Sequence, residues 1–201
     1  MENLINRAKN MVLQPKETWE VIKTEETTLS SLLTSYVFPL ALIPAIASFI
    51  GYGIIGFNTG FFGQASSIEW GISQAITTFI SAFIGVIISA WVISLLSKNF
   101  GTDVTLNNAA KLVAYSYTPS LLAGIFYLIP ALTILAIVGA IYSLYVLYIG
   151  FQPITNVSEG QKTSYFVVSL IAIIVISVVL TFVLGIILTT FGIASYQALN
   201  L

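Results

Sequence analysis

Apolar residues fall into five long stretches, about residues 32–56, 70–96, 111–129, 131–150 and 165–191, separated by short polar segments. Each is close to the 20 or so residues that a helix rising 1.5 Å per residue needs to cross a hydrocarbon core of about 30 Å. The pattern predicts an all-α fold, a polytopic transmembrane helical bundle of five spans covering residues 32–201. The third and fourth stretches touch at Ile129 and Pro130. Joined, they would be about twice the length one crossing needs, so a tight helical hairpin is expected there.

The region before the first span, residues 1–31, follows a different rule. Leu4, Ile5, Ala8, Met11 and Val12 recur at helical spacing, while Glu2, Asn6, Arg7, Lys9 and Asn10 take the other face. Pro15 suits the first turn of a second short helix, with Lys16 and Glu20 as an i,i+4 pair and Trp19 and Ile22 as an apolar edge. Two short amphipathic helices on the cytoplasmic membrane surface are expected, acting as an interfacial anchor or as an arm that docks a protein partner. No cleaved signal peptide is read here, because the first apolar run follows a long stretch with charges of both signs.

Basic residues set the orientation, since Lys and Arg are retained on the cytoplasmic side. Arg7, Lys9, Lys16 and Lys23 precede the first span, Lys98 and Lys111 bracket the second loop, and Lys162 lies in the fourth. The first loop (57–69), the third turn and the tail after Gly192 carry none. Five spans therefore put every cation on one face, with the N-terminus cytoplasmic and the C-terminus outside.

Composition sharpens this picture. Of the 201 residues 57% are hydrophobic and 7% charged, against roughly 25% charged in soluble domains. Seven basic and eight acidic side chains leave a net charge of −1, which argues against a nucleic-acid partner. Histidine and cysteine are both absent, which removes the usual zinc ligands, thiolate chemistry and the commonest general base. Only Asp103 is available where an aspartyl protease needs two aspartates, and a Ser-Lys pair on Lys111 has no serine assigned to it. No charge lies in the middle third of any span, which weighs against a proton relay. No catalytic group, cofactor or metal site is expected. Glu69 and Lys111, at span ends, read as interfacial anchors.

In a bilayer, helices associate through close packing at small residues. Ser73, Thr77, Ser81, Gly85 and Ser89 recur every fourth residue in the second span, as do Ser177, Thr181, Gly185 and Thr189 in the fifth. These stripes predict tight interfaces, within one chain or across a homo-oligomer. Pro39, Pro44 and Pro119 predict kinks. Polar side chains concentrate at Tyr115, Ser116, Tyr117 and Thr118 and at Tyr142, Tyr145 and Tyr148. They read as an aromatic belt or as a site for a lipid headgroup or protein partner, to which Trp19 and Pro119 are added.

Several of these segments resemble the Yip-domain family, the Ypt/Rab-interacting membrane proteins. Tyr115, Ser116 and Pro119 in Lys-Leu-Val-Ala-Tyr-Ser-Tyr-Thr-Pro-Ser are similar to that family's third-span signature. Pro15-Lys16-Glu17-Thr18-Trp19-Glu20 resembles the opening of prokaryotic members, and residues 145–150 resemble the end of their fourth span. The resemblance implies five spans and a cytoplasmic N-terminus. The arm is short and lacks a counterpart of the Asp-Leu-Tyr-Gly-Pro motif, so Rab binding is not implied and a prokaryotic member is. The expected function is non-enzymatic, a membrane-organising or adaptor module in contact with membrane lipids. The alternative is a small transporter, channel or lipid-handling protein with a cavity lined by the kinked third span. A polar cavity reaching the middle of the bundle favours the second reading.

Overall fold

The computed structural model describes residues 4–58 and 64–190. It is helical apart from a two-residue antiparallel pair, β1 (Phe57–Asn58) with β2 (Gln64–Ala65). Four helical stretches are long and apolar enough to cross a membrane: Leu29–Ile55, Ile68–Phe100, Pro130–Thr155 and Glu159–Ile187. The segment between the second and third of these is also helical but broken, so it does not form one rod of crossing length.

Two short helices open the chain, α1 (Leu4–Leu13) and α2 (Pro15–Ile22). Pro15 occupies the first turn of α2, where its missing N–H costs nothing. Both helices turn a face to the bundle, burying Arg7, Ala8 and Met11 from α1 and Thr18, Trp19 and Ile22 from α2. Ile5, Leu13 and Val21 face outward. The expected Lys16–Glu20 pair is replaced by Glu20 with Lys23, one residue closer in register.

The first long stretch is α3 (Leu29–Leu32), a π-helical turn at residues 33–37, α4 (Phe38–Ile50) and a second π-helical turn at 51–55. Thr28 caps it by accepting from Ser31 N–H at 3.2 Å. Pro39 has no N–H to give the carbonyl four residues back, and the preceding turn widens so that Phe38 N–H reaches the Leu33 carbonyl instead. The kink expected from the prolines thus takes the form of a wide turn.

Next come α5 (Ile68–Leu96), capped by Ser67, and a 3-10 turn at 97–100 ended by Gly101 in the left-handed region. The broken segment follows as α6 (Leu106–Ser116), a break at Tyr117, α7 (Thr118–Ala123) and a 3-10 turn at 124–128. Pro119 has no N–H to give the Tyr115 carbonyl, which accepts from Thr118 Oγ1 at 2.6 Å instead, and this locates the break. Every residue of α6 from Ala109 to Ser116 is buried. Ile129 is extended, φ −121° and ψ 103°, and starts the return into α8 (Thr133–Thr155), as the hairpin reading requires. α9 (Glu159–Thr190) completes the described chain.

The core centres on α6, with Trp19 and Ile22 on one side, Val86, Ala90 and Ile93 of α5 on another, and Val146 and Phe151 of α8 on a third. α9 joins through its first turns. The Tyr165 hydroxyl donates to the Ile93 carbonyl, and its ring stacks on Phe100 at 4.7 Å and meets Phe151 edge-on at 4.8 Å. Beyond Ile173 its apolar side chains, among them Ile174, Val178, Phe182 and Ile186, are exposed, as suits a helix bathed in lipid. Replacing Tyr165 by Phe keeps the ring contacts and removes one buried hydrogen bond. The expected cost is about 0.5–1.5 kcal/mol, read as a lowered thermal midpoint in detergent.

The segments that carry the basic residues meet at one end. Lys16 and Lys162 line one surface groove, Lys111 Nζ donates to the Glu25 carbonyl at 2.7 Å, and Thr102 Oγ1 donates to the Thr155 carbonyl at 2.5 Å. At the other end, Gly51 lies so close to the Tyr127 carbonyl that any side chain there would collide with it.

Candidate functional site

Three helical pieces that do not pack flush flank a cavity of about 500 Å³ that opens to the surface of the bundle. The first wall is α4 and the turn after it, contributing Pro44, Ser48 and Tyr52. The second is α5, contributing Gln74, Thr77, Thr78, Ser81 and Ala82. The third is the broken segment with the start of α8, contributing Tyr117, Ser120, Leu121, Tyr127 and Thr133. Pro44 abuts Gly124, where any side chain would overlap the proline ring. Nearby, Gly53 and Gly71 let α5 and the second π-helical turn touch backbone to backbone. The break at Tyr117 and the wide turns flanking α4 hold the pieces apart between these contacts.

The lining sets hydroxyl and amide groups in a larger apolar area and carries no charged side chain. Ser48 and Thr78 hydroxyls lie 3.5 Å apart, and the Tyr117 hydroxyl is 3.2 Å from Ser89 Oγ. Ser120 N–H donates to Ser143 Oγ at 2.9 Å. The Thr133 hydroxyl is buried and has no hydrogen-bond partner, a costly arrangement in an apolar surrounding. Counting along α5, the cavity runs from Gln74 to Ala82, about 12 Å at 1.5 Å per residue. A Cβ added at Gly85 would rest against the Tyr117 ring, 3.5 Å away. On the far side of Tyr117, Tyr36 and Thr118 hydroxyls bond at 2.7 Å and the Tyr36 and Tyr115 rings meet edge-on at 4.7 Å. The cavity is thus bounded by hydrogen-bonded side chains toward the end that holds the N-terminal helices.

Those helices are fastened by polar contacts as well as burial. Trp19 Nε1 donates to the Val146 carbonyl at 3.1 Å, and its indole lies against Gly150. The Tyr142 hydroxyl donates to the Val12 carbonyl at 2.8 Å. Arg7, expected on the solvated face of α1, is instead buried. It pairs with Glu25 at 2.5 Å and lies 5.7 Å over the Tyr115 ring, which supply the counter-charge and π-face that make burial tolerable. Lys111, expected to reach headgroups and water, is 4% exposed. Its ammonium instead caps the end of α2, donating to the Glu25 carbonyl and, at 3.5 Å, to that of Ile22.

The Yip1 domain model matches residues 9–182. That range takes in α2 through most of α9 and therefore the whole cavity. The chain belongs to the Yip1 domain family. Consistent with that membership, it is 30% identical over 156 residues to the inner membrane protein YohC of two Escherichia coli strains, covering 75% of this chain and 80% of each relative. No solved structure matches it. Membership, the inner membrane relatives and the apolar helices together make this an integral membrane protein.

Within this Yip1 domain the residues singled out from sequence separate into groups. Trp19, Tyr115, Ser116 and Pro119 are buried in the bundle, Tyr117 faces the cavity, and Tyr145 is 45% exposed. Tyr148 stands beside Lys162, whose ammonium is 4.7 Å from the ring centre. In the α5 stripe, Ser73 and Ser89 are buried, Gly85 meets Tyr117, and Thr77 and Ser81 line the cavity. On α9, Ser177 is exposed and a Cβ at Gly185 would meet nothing within 4 Å; the Thr181 and Thr189 side chains lie outside the described residues. Ser48, Tyr52, Gln74, Thr78, Ser120, Tyr127 and Thr133 were not anticipated. Hydroxyl and amide groups inside apolar runs were the available signal, but which of them face one another depends on the break at Tyr117 and the wide turns beside α4.

Proposed function

We propose that this Yip1-domain chain is a non-enzymatic inner membrane protein that receives a small lipid-like molecule in the cavity between α4, α5 and α7. Five helical segments cross the bilayer, counting the broken one, with the N-terminus cytoplasmic and the C-terminus outside. The gathering of Lys16, Lys111 and Lys162 at one end supports that orientation, since it lets all the cations share the cytoplasmic leaflet. The observation that carries the reading is the uncharged, hydroxyl-lined cavity reaching the middle of α5. Small-molecule sites are concave, mostly apolar chambers of roughly 300–1,000 Å³ with a few placed polar groups.

The adaptor reading, with the arm docking a protein partner, draws less support. The arm's anchor residues Met11, Trp19 and Ile22 are spent on the bundle, so docking through them would require the arm to detach. Self-association through the exposed face of α9 is compatible with either reading.

The test is native mass spectrometry of the full chain released from native membranes in mild detergent. The expected result is one retained lipid-sized adduct per chain, lost when Thr78 and Ser81 are both replaced by Leu to fill the cavity while the thermal midpoint is kept. A chain that carries no adduct, but retains a protein through residues 1–28, would overturn the proposal in favour of the adaptor.

A further inference from the structure

We infer that the cavity selects a neutral, hydroxyl-bearing head group, of the kind a diacylglycerol presents, and rejects phosphate-bearing lipids; this rests on the proposed receptacle function. Three features of the lining carry it. First, no Lys, Arg, Asp or Glu is among the residues that line it, so an anion or cation brought there would be desolvated with no counter-charge. Second, the polar groups are those that satisfy hydroxyls in both directions. The Gln74 amide offers donors and an acceptor, while Thr77, Thr78 and Ser81 offer hydroxyls that can do either. Third, the polar wall is interrupted by Pro44, Ala82 and Leu121 and by the rings of Tyr52 and Tyr127, so an occupant must be amphipathic. A glycerol moiety with its acyl chains leading out between helices fulfils all three conditions. A free polyol shares the hydroxyl chemistry but leaves the apolar lining uncovered.

The test titrates the delipidated full chain, by native mass spectrometry, with dioleoylglycerol, dioleoylphosphatidate and glycerol separately. Dioleoylglycerol is expected to bind one per chain, at least tenfold tighter than dioleoylphosphatidate. Gln74→Leu and Thr77→Val are each expected to weaken it at least fivefold without lowering the thermal midpoint of the unliganded chain. Glycerol binding as tightly as dioleoylglycerol, with the same dependence on Gln74 and Thr77, would uphold the hydroxyl chemistry and assign a soluble source. Equal binding of the two lipids, preference for the phosphatidate, or indifference to both substitutions would overturn the inference while leaving a receptacle in place. Binding of none of the three, in a chain that also releases no adduct from native membranes, would overturn the receptacle itself.

Discussion

Trp19→Ala should destabilise the chain by about 3–5 kcal/mol, the range for emptying a large buried aromatic site, and should release residues 4–22 to protease while α5 and α8 stay protected. Trp19 is 1% exposed, donates to the Val146 carbonyl and meets Tyr115 edge-on at 6.5 Å. Its loss opens a void beside α6 and removes the second donor to the Val146 carbonyl. The remaining ties of the arm are the burial of Ala8, Met11 and Ile22 and polar contacts from Tyr142 to Val12 and from Lys111 to Glu25. Each polar contact is worth about 0.5–3 kcal/mol and each of the two large apolar side chains about 1.5–3 kcal/mol, so losing the largest anchor tilts the balance toward the entropy that detachment regains. Thermal unfolding in detergent together with limited proteolysis reads both effects. Unchanged protection of residues 4–22 would show that the indole is not the anchor.

Gly150→Leu attacks the same joint from the other side. A Cβ at Gly150 would sit 2.5 Å from the Trp19 Cζ2 and 2.7 Å from its Cδ2, distances that no relaxed structure tolerates, so α2 and α8 must separate. Overpacking of this kind costs about 1–3 kcal/mol, and here it also lengthens the bond to Val146. Combining the two changes provides an internal control. In the Trp19→Ala background the leucine has an empty space to enter, so the double variant should be more stable than the sum of the singles by at least about 1 kcal/mol. Additive losses would mean that Gly150 and Trp19 do not share one packing site.

Much of the architecture could be read from hydropathy, and the parts that could not have a common physical origin. The long apolar runs, the reversal at Ile129 and Pro130, and the helices on either side of Gln14 follow from length, proline placement and local periodicity, all properties of neighbours in sequence. The burial of Arg7 and Lys111 follows from Glu25 and from the end of α2, partners 18 and 86 residues away that a local pattern does not report. The cavity was hidden for a different reason. Serine, threonine and glycine are small enough to let helices approach closely and polar enough to line a chamber, so one period-four stripe on α5 serves both ends. Ser73 and Ser89 are buried at its extremities while Thr77 and Ser81 face open space between them. Only the fractured shape of the opposing segment separates the two uses, and Pro119 announces a fracture without saying what lies beside it.

The order of the cavity walls along the chain bears on assembly. Its last lining residue is Thr133, whereas α9 begins at Glu159. Every wall has therefore been synthesised before the final helix emerges from the ribosome, and that helix attaches by its first turns to surfaces already made. A nascent chain arrested shortly after α8 clears the translocon would hold the complete chamber, ready to admit an occupant while translation is unfinished.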